Sequence, residues 1–203
     1  MKRPIWKFAG PVSGILFVVL ILVGLVIHGY PSGTGTQMKH WIATTNSTRF
    51  NVGIWIEAIG YLFLLPFAAW LVRDLRRPGV NEWPGDVAFG AAVLCTGSAV
   101  LINGIWTGLF DAGRAGLDPN TLAGIGWVAM DGYAASNLFY GVFAIAAGAA
   151  AVMARSLPAW LAWAAVVIGV VIVIPPISMP AQLALLLWIL AVAGRAGMVL
   201  RKA

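Results

Sequence analysis

A charged residue interrupts the long apolar stretch that decides this fold, which runs from Thr121 to Ala144 as TLAGIGWVAMDGYAASNLFYGVFA. The stretch is long enough to cross a bilayer, yet Asp131 lies near its middle. A carboxylate at that depth costs about 2.5–3.5 kcal/mol, so we expect Asp131 to face protein or a water-filled cavity rather than lipid. A second acidic residue, Glu57, lies deep in the apolar run of residues 51–72, NVGIWIEAIGYLFLLPFAAWLV. The functional hypothesis starts from these two carboxylates.

The composition is that of an integral membrane protein. Of the 203 residues, 61% are hydrophobic and 10% are charged, whereas a soluble domain has about 45–50% apolar and about 25% charged residues. The length suits one compact helical domain, residues 1–203, with no room for a separate soluble domain. The net charge of +6 comes from basic residues near predicted helix ends, which favours membrane orientation over nucleic acid binding. The single cysteine, Cys95, excludes an intrachain disulfide.

Six hydrophobic segments meet the requirement of about 20 residues for a membrane-spanning helix. They cover residues 9–30, 51–72, 87–110, 121–150, 158–175 and 179–199. Three prolines between Ile174 and Pro180 remove amide donors, so we expect a tight turn between the last two helices. The first segment is too long for the apolar region of a signal peptide, and we expect it to be retained. The predicted fold is all-α, a polytopic bundle of six transmembrane helices.

The lysines and arginines predict how these helices are oriented. Ten of them lie in the N-terminal tail, in the second and fourth connections and near the C-terminus: Lys2, Arg3, Lys7, Arg73, Arg76, Arg77, Arg155, Arg195, Arg201 and Lys202. The opposite side has Lys39, Arg49 and Arg114. Because cytoplasmic loops carry the excess of basic residues, we expect both termini in the cytoplasm and the protein in the inner (plasma) membrane.

Two connections on the predicted outer side contain local structural patterns. Residues 37–50, QMKHWIATTNSTRF, predict a short interfacial helix with Trp41 and Ile42 in the headgroup region. In the next outer connection, either Asp118 or Asn120 is expected to cap the fourth membrane helix, because both residue types accept hydrogen bonds from free amides at helix starts.

Counting along the helices from their predicted outer ends places three polar residues at a similar depth. Glu57, Asn103 and Asp131 lie roughly 10–16 Å below the outer surface at a rise of 1.5 Å per residue. Aromatic and amide side chains recur at helical spacing on the same helices: Tyr61, Trp106, Trp127, Tyr133 and Asn137. We therefore expect these residues to line an outward-facing intramembrane pocket, in which a protonated Glu57 or Asp131 is a hydrogen-bond donor or a catalytic general acid.

A structural role explains the same residues without a ligand, since each carboxylate can hydrogen-bond a neighbouring helix. The sequence leaves both interpretations open. The two histidines, His28 and His40, lie near the outer end of the first helix and in a loop, so a structural or solvent-facing role is expected rather than haem binding. Cys95 lies toward the predicted inner half, away from both, and neither a metal site nor a cofactor is expected.

The fourth and fifth helices carry a family resemblance. Residues 141–171, GVFAIAAGAAAVMARSLPAWLAWAAVVIGVV, resemble an arrangement of helix, basic residue, Leu-Pro-x-Trp-Leu and helix. This arrangement is common in small bacterial, especially actinobacterial, membrane proteins of unknown function. The opening helix and the Leu71–Arg77 end of the second helix are similar to those proteins as well. The resemblance covers most of the chain and implies six helices, but it implies no activity.

A second resemblance concerns chemistry. Membrane-bound terpene cyclases are small, all-helical and tryptophan-bearing, and are thought to protonate an olefin or epoxide with intramembrane Glu and Asp residues. Glu57 and Asp131 are similar in residue type, and aromatic rings can stabilise a carbocation by cation–π contact. The activity that this analogy implies is acid-initiated cyclisation or isomerisation of an isoprenoid.

Three functions remain open at this point. The first is binding of a small apolar or amphipathic, lipid-like ligand in the outward-facing pocket. The second is the cyclase or isomerase activity, and the third is a role as an accessory subunit whose polar groups face a membrane-complex partner or a second copy in a homo-oligomer. A transporter has less support, because six helices without an internal repeat lack the symmetry of that class. Membrane lipid is the expected surrounding in every case.

Overall fold

The computed structural model describes residues 6–29, 35–76, 81–174 and 177–202. Helices dominate these ranges, and no strand occurs within them. The helices are α1 (Trp6–His28), α2 (Gly35–Thr44), α3 (Ser47–Leu62), α4 (Leu64–Leu75), α5 (Trp83–Arg114), α6 (Pro119–Ala154), α7 (Ala159–Ile172) and α8 (Ser178–Lys202). Lys2, Arg3, Arg77, Pro175 and Pro176, which contributed to the predicted orientation and turn, lie outside the described residues.

Five helical segments in the described ranges are long and apolar enough to cross a membrane. They are Phe8–His28, Ser47–Leu75, Trp83–Arg114, Pro119–Ala154 and Ser178–Met198. The predicted segment 158–175 contains the shorter apolar helix α7, whose 14 residues extend about 21 Å. α7 ends before α8 begins, as the prolines predicted. The all-helical prediction is confirmed, and the helices are consistent with a multi-pass membrane protein.

A break at Phe63 separates α3 from α4 within one predicted span. The Phe63 amide donates to the carbonyls of Gly60 and Tyr61 instead of continuing the regular helical ladder. Pro66, in the first turn of α4, has no amide hydrogen with which to restore that ladder. The Thr96 hydroxyl of α5 donates to the Tyr61 carbonyl over 3.2 Å, so a neighbouring helix satisfies a backbone group near the break.

Asp118 caps the start of α6, which confirms one of the two predicted caps. Its Oδ1 accepts hydrogen bonds from the amides of Asn120 and Thr121, both over 3.0 Å. The Thr121 hydroxyl donates to the other carboxylate oxygen over 2.6 Å and is the main reason why the pKa of Asp118 lies below its ordinary value. Pro119 follows at the first helical position, where its missing amide hydrogen costs nothing.

The predicted short helix is present as α2, but Ile42 does not lie where it was predicted, in the lipid headgroup region. It packs on α5 and α6 and buries Met38 and Ile42. Ile42 is 1% exposed and lies over Gly113, where an added Cβ would come within 2.5 Å of its Cδ1 atom. The prediction that Ile42 lies among lipid headgroups was therefore wrong, because the ends of α5 and α6 offer it an apolar protein surface.

Two hydrophobic clusters form the interior of the described chain. We call the first the alanine-rich core; it joins α1, α3, α4, α5, α6, α7 and α8 and includes a run of buried alanines on α6: Ala144, Ala146, Ala147, Ala150 and Ala151. Close α6–α7 contact accompanies this run at Gly141 and Gly169. We call the second the aromatic core, formed under α2 by Met38, Ile42, Phe50, Ile54, Ile102, Trp106, Leu109, Phe110, Leu122 and Ala129.

Candidate functional site

Two glycines bring α1 and α3 close enough for their polar side chains to meet. A Cβ at Gly24 would come within 2.7 Å of the Glu57 Cβ atom, and a Cβ at Gly53 within 2.7 Å of the His28 Cβ atom. The helices are antiparallel, so each glycine lies opposite the polar residue of the other helix. Only hydrogen fits between the backbones at these two positions, and the pair His28–Glu57 follows from that approach.

The His28 and Glu57 side chains form a buried pair. The Nε2 atom of His28 lies 2.9 Å from Oε2 of Glu57, and the two residues are 3% and 1% exposed. On the other side of the ring, Nδ1 lies 2.6 Å from the Gly29 carbonyl oxygen, which can only accept. Nδ1 therefore carries a hydrogen, and one further proton lies between Nε2 and Oε2.

A chain of hydroxyl groups extends from Glu57 to α6. The Tyr61 hydroxyl donates to Oε1 of Glu57 over 3.1 Å, and the hydroxyl oxygens of Tyr61 and Tyr133 lie 2.9 Å apart. On α5, Nδ2 of Asn103 donates to Oε2 of Glu57 over a longer 3.4 Å. Four helices, α1, α3, α5 and α6, thus converge on one carboxyl group at the boundary between the two cores. We call His28, Glu57, Tyr61, Asn103 and Tyr133 the Glu57 cluster.

A small cavity of about 40 Å³ adjoins this cluster where α8 crosses α1 and α6. It is lined by Phe17, Ile21, Tyr61, Tyr133, Tyr140, Gln182, Leu185 and Leu186. At roughly 10–15 Å³ per water centre, this space holds about three water molecules. Near it, Nε2 of Gln182 donates to Oδ1 of Asn137, which links α8 to α6. The cavity has both aromatic and polar walls, a combination typical of small-ligand sites.

Asp131 and Trp127 do not join the Glu57 cluster. Both are exposed on α6, and Trp127 is 66% exposed. Tyr133, only two residues beyond Asp131, is the residue of α6 that reaches Tyr61. Each helical residue turns the chain by about 100°, so Asp131 points about 200° away from Tyr133. Asp131 therefore lies at the depth of the cluster but on the opposite face of its helix.

The remaining residues predicted for the site fall on either side of the cluster. Trp106 is 2% exposed and packs in the aromatic core, one turn along α5 from Asn103. Asn137 is 8% exposed and bonds to Gln182 rather than to Glu57. Of the predicted residues, the structure thus brings together Glu57, Tyr61, Asn103 and Tyr133.

Sequence reasoning missed His28 and Gln182 as parts of this region. His28 was expected to be structural or solvent-facing, and its burial excludes the second alternative. A repeated pattern pointed to the pair: Gly24 precedes His28 by four residues on α1, and Gly53 precedes Glu57 by four on α3. On antiparallel helices this spacing sets each glycine opposite the polar group of its neighbour. No comparable pattern marks Gln182.

The cluster is not a metal site of the usual composition. Among the residues that the structure describes, no three His, Cys, Asp or Glu side chains converge. Its chemistry is instead that of a proton shared between an imidazole and a carboxyl group, with two phenol groups in series. No protein family, curated protein or solved structure was found to match the chain.

Proposed function

We propose that this protein spans the plasma membrane with six helices, places both termini in the cytoplasm and binds a small amphipathic ligand beside the Glu57 cluster. The orientation is supported by the excess of basic residues near one set of helix ends. α7 is the sixth span in this proposal: it packs between α6 and α8, and such a short helix requires local thinning of the bilayer or flanking residues that extend it.

The observation that carries the ligand proposal is the buried His28–Glu57 pair beside a cavity. An ionisable pair inside a membrane protein is costly, and apolar residues of similar volume pack as well or better. A purely structural link between α1 and α3 therefore does not require these residues. The hydroxyls of Tyr61 and Tyr133 connect the pair to the cavity wall, so a molecule in the cavity is in hydrogen-bond contact with Glu57 through two phenol groups.

The direction of these hydrogen bonds favours a ligand that donates. Tyr61 has one hydroxyl hydrogen and directs it to Glu57, so Tyr133 is the donor in the bond between the two tyrosines. A hydroxyl oxygen accepts through two lone pairs, so the Tyr133 oxygen can accept a hydrogen bond from a ligand in the cavity. An amine or a hydroxyl group extends the chain toward Glu57, whereas a carboxylate has no hydrogen to donate.

The cavity also limits the size of the ligand. Sites for drug-sized molecules have volumes of about 300–1,000 Å³, and this cavity has about 40 Å³. The volume favours a polar group on a short alkyl chain over an isoprenoid, and hence binding over cyclisation. α8 contacts α1 and α7 more extensively than it contacts α6. The side between α6 and α8, which the Gln182–Asn137 bond bridges, is therefore the proposed entry from the lipid.

Three probes of one size test this proposal: butylamine, 1-butanol and butanoate. Each is titrated to tens of millimolar into purified protein in mild detergent while the melting temperature (Tm) is followed by tryptophan fluorescence. A ligand that binds the folded state stabilises it by RT ln(1 + [L]/Kd). We expect butylamine and butanol to raise the Tm relative to butanoate in the wild type.

Two variants and a matched control make the result specific. Tyr133→Phe removes the acceptor oxygen, and Leu186→Trp fills the cavity; both should abolish the difference between the probes. Leu183→Trp adds the same side chain on the exposed face of α8 and should leave the difference unchanged. An equal response to all three probes in the wild type, or an undiminished difference in both site variants, would show that the cavity is not the binding site.

A further inference from the structure

An exposed stripe on α6 surrounds the carboxyl group that the Glu57 cluster does not use. Five exposed residues follow one another at intervals of three and four: Gly124, Trp127, Asp131, Ala134 and Leu138. This is the heptad spacing with which one helix faces another over several turns. We call it the α6 seam. Asp131 lies in its centre, and no described helix covers it.

The depth of Asp131 follows from the neighbouring helix. A Cβ at Gly132 would lie 3.5 Å from Cγ1 of Ile102, so this part of α6 is level with Ile102 on α5. Along α5, the nearest charged residues are Asp86 and Asp111. At 1.5 Å per residue they lie about 24 Å and about 14 Å from Ile102. Asp131 is therefore well inside the uncharged band of the bundle, and not at its edge.

An ionisable side chain at such a depth is not expected to face lipid. Acidic residues in membrane-spanning segments almost always face a bundle interior or a watery cavity and bond to another group there. Within one copy of the chain, Asp131 does neither, since it points away from the Glu57 cluster. We infer that the α6 seam is the contact face of a homodimer, in which a second copy of this chain covers Asp131.

The seam complements itself under twofold symmetry. A twofold axis along the membrane normal places equal residues of the two copies at equal depth. Helical side chains lean toward the N-terminus, so Asp131 of one copy leans toward Trp127 of the other. The indole N–H is only a donor and a carboxyl oxygen accepts, and the same bond forms twice across the axis. Gly124 and Ala134, above and below, allow close approach of the two helices.

A second copy brings no positive charge to Asp131 from α5 or α6. Neither α5 between Asp86 and Asp111 nor α6 between Asp118 and Arg155 contains a lysine, arginine or histidine. The dimer therefore satisfies Asp131 by hydrogen bonds and not by an ion pair. Twofold symmetry also permits a proton held between the two carboxyl groups, because two like charges at close range do not both ionise.

Cysteine cross-linking in native membranes tests the seam directly. The buried Cys95 is first replaced by alanine, and Ala134→Cys is then compared with Leu183→Cys. Leu183 is the matched control because it is exposed on α8 and adjoins Gln182, which bonds to Asn137 within one turn of Ala134. We expect cross-linked dimer at position 134 and little at position 183. Equal cross-linking at both positions indicates random collision and overturns the proposal.

The role of Asp131 is measured by the dissociation constant of the dimer. Full-length wild type and Asp131→Leu are labelled and diluted in lipid vesicles, and photobleaching steps are counted at a series of protein-to-lipid ratios. Leucine removes both interhelical hydrogen bonds and makes the monomer face compatible with lipid, so we expect the dimer to weaken about ten-fold or more. A monomeric wild type at every ratio, or an unchanged constant in the variant, overturns the proposal; so does a stable complex with a different protein in place of the dimer.

Discussion

The buried pair of His28 and Glu57 predicts a large energetic coupling between α1 and α3. The perturbation is a double-mutant cycle with His28→Leu, Glu57→Leu and the double variant. Leucine is apolar and of comparable size, so it removes the polar partner without opening a large cavity. Each single variant leaves the other member of the pair buried without its 2.9 Å contact, whereas the double variant leaves neither.

The size of the coupling energy between His28 and Glu57 follows from the burial of both side chains. Removing one member of a buried pair costs about 3–5 kcal/mol, because the remaining group loses its compensation. The double variant should be no less stable than either single variant, since replacing both partners by apolar groups is often nearly neutral. The coupling energy is then at least about 3 kcal/mol. An ordinary neutral hydrogen bond between membrane helices has a coupling of only about 0.6 kcal/mol.

The assay is unfolding of the four proteins by sodium dodecyl sulfate in mixed micelles, followed by tryptophan fluorescence and circular dichroism. Tyr61 and Asn103 remain in all four proteins, so their bonds to Glu57 cancel in the coupling energy. A coupling near 0.6 kcal/mol or below would refute the reasoning. It would mean that the pair is energetically an ordinary hydrogen bond, and the main argument for a ligand beside Glu57 would be lost.

Two further predictions concern helix packing and the α6 cap. Gly24→Ala should destabilise the protein by about 1–3 kcal/mol, because its Cβ would come within 2.7 Å of the Glu57 Cβ atom, and chemical denaturation measures this loss. The control is Gly97→Ala, which adds a Cβ in open space and should leave stability unchanged or raise it by up to about 1 kcal/mol. A similar loss of stability at both positions would contradict close packing at Gly24. Asp118 has a lowered pKa, so its contribution to stability is fully present above its ordinary value of 3.8 and is lost as pH falls through the folded-state pKa. The Tm difference between wild type and Asp118→Asn should therefore shrink below about pH 4; a difference independent of pH would mean that the charge does not contribute to the cap.

The sequence predicted depth along the helices well. A fixed rise per residue places Glu57, Asn103 and Asp131 at one level. The structure joins Glu57 and Asn103 with Tyr61 and with Tyr133, which lies two residues beyond Asp131. Long apolar stretches and prolines likewise gave the helices and the separation of α7 from α8. The depth of a residue and the position of a helix are each predicted from a single helix. Neither prediction requires knowledge of how the helices pack.

The direction in which a side chain points could not be predicted in the same way. Asp131 and Tyr133 were both assigned to one pocket, although residues two apart on a helix face nearly opposite directions. The helices that pack against α6 determine whether Asp131 or Tyr133 faces inward. The depth of a residue along its helix does not predict this direction. The sequence did not predict that His28 belongs to the site, for a related reason. His28 ends its helix, and its burial depends on packing against α3 and on Phe50 of the aromatic core.

The division of the interior into two cores has a consequence for local unfolding. Proteins open in cooperative units, each with its own free energy, and hydrogen exchange resolves them. The Glu57 cluster lies where the alanine-rich and aromatic cores meet, and α2 covers only the aromatic one. Detachment of α2 with the adjoining ends of α5 and α6 would admit water to Glu57 while the α6–α7 contact stays closed. The amides around Met38 and Leu122 should therefore exchange faster than those around Ala147. The stability of the unit formed by α2 and the adjoining ends of α5 and α6 then determines how often water reaches His28 and Glu57.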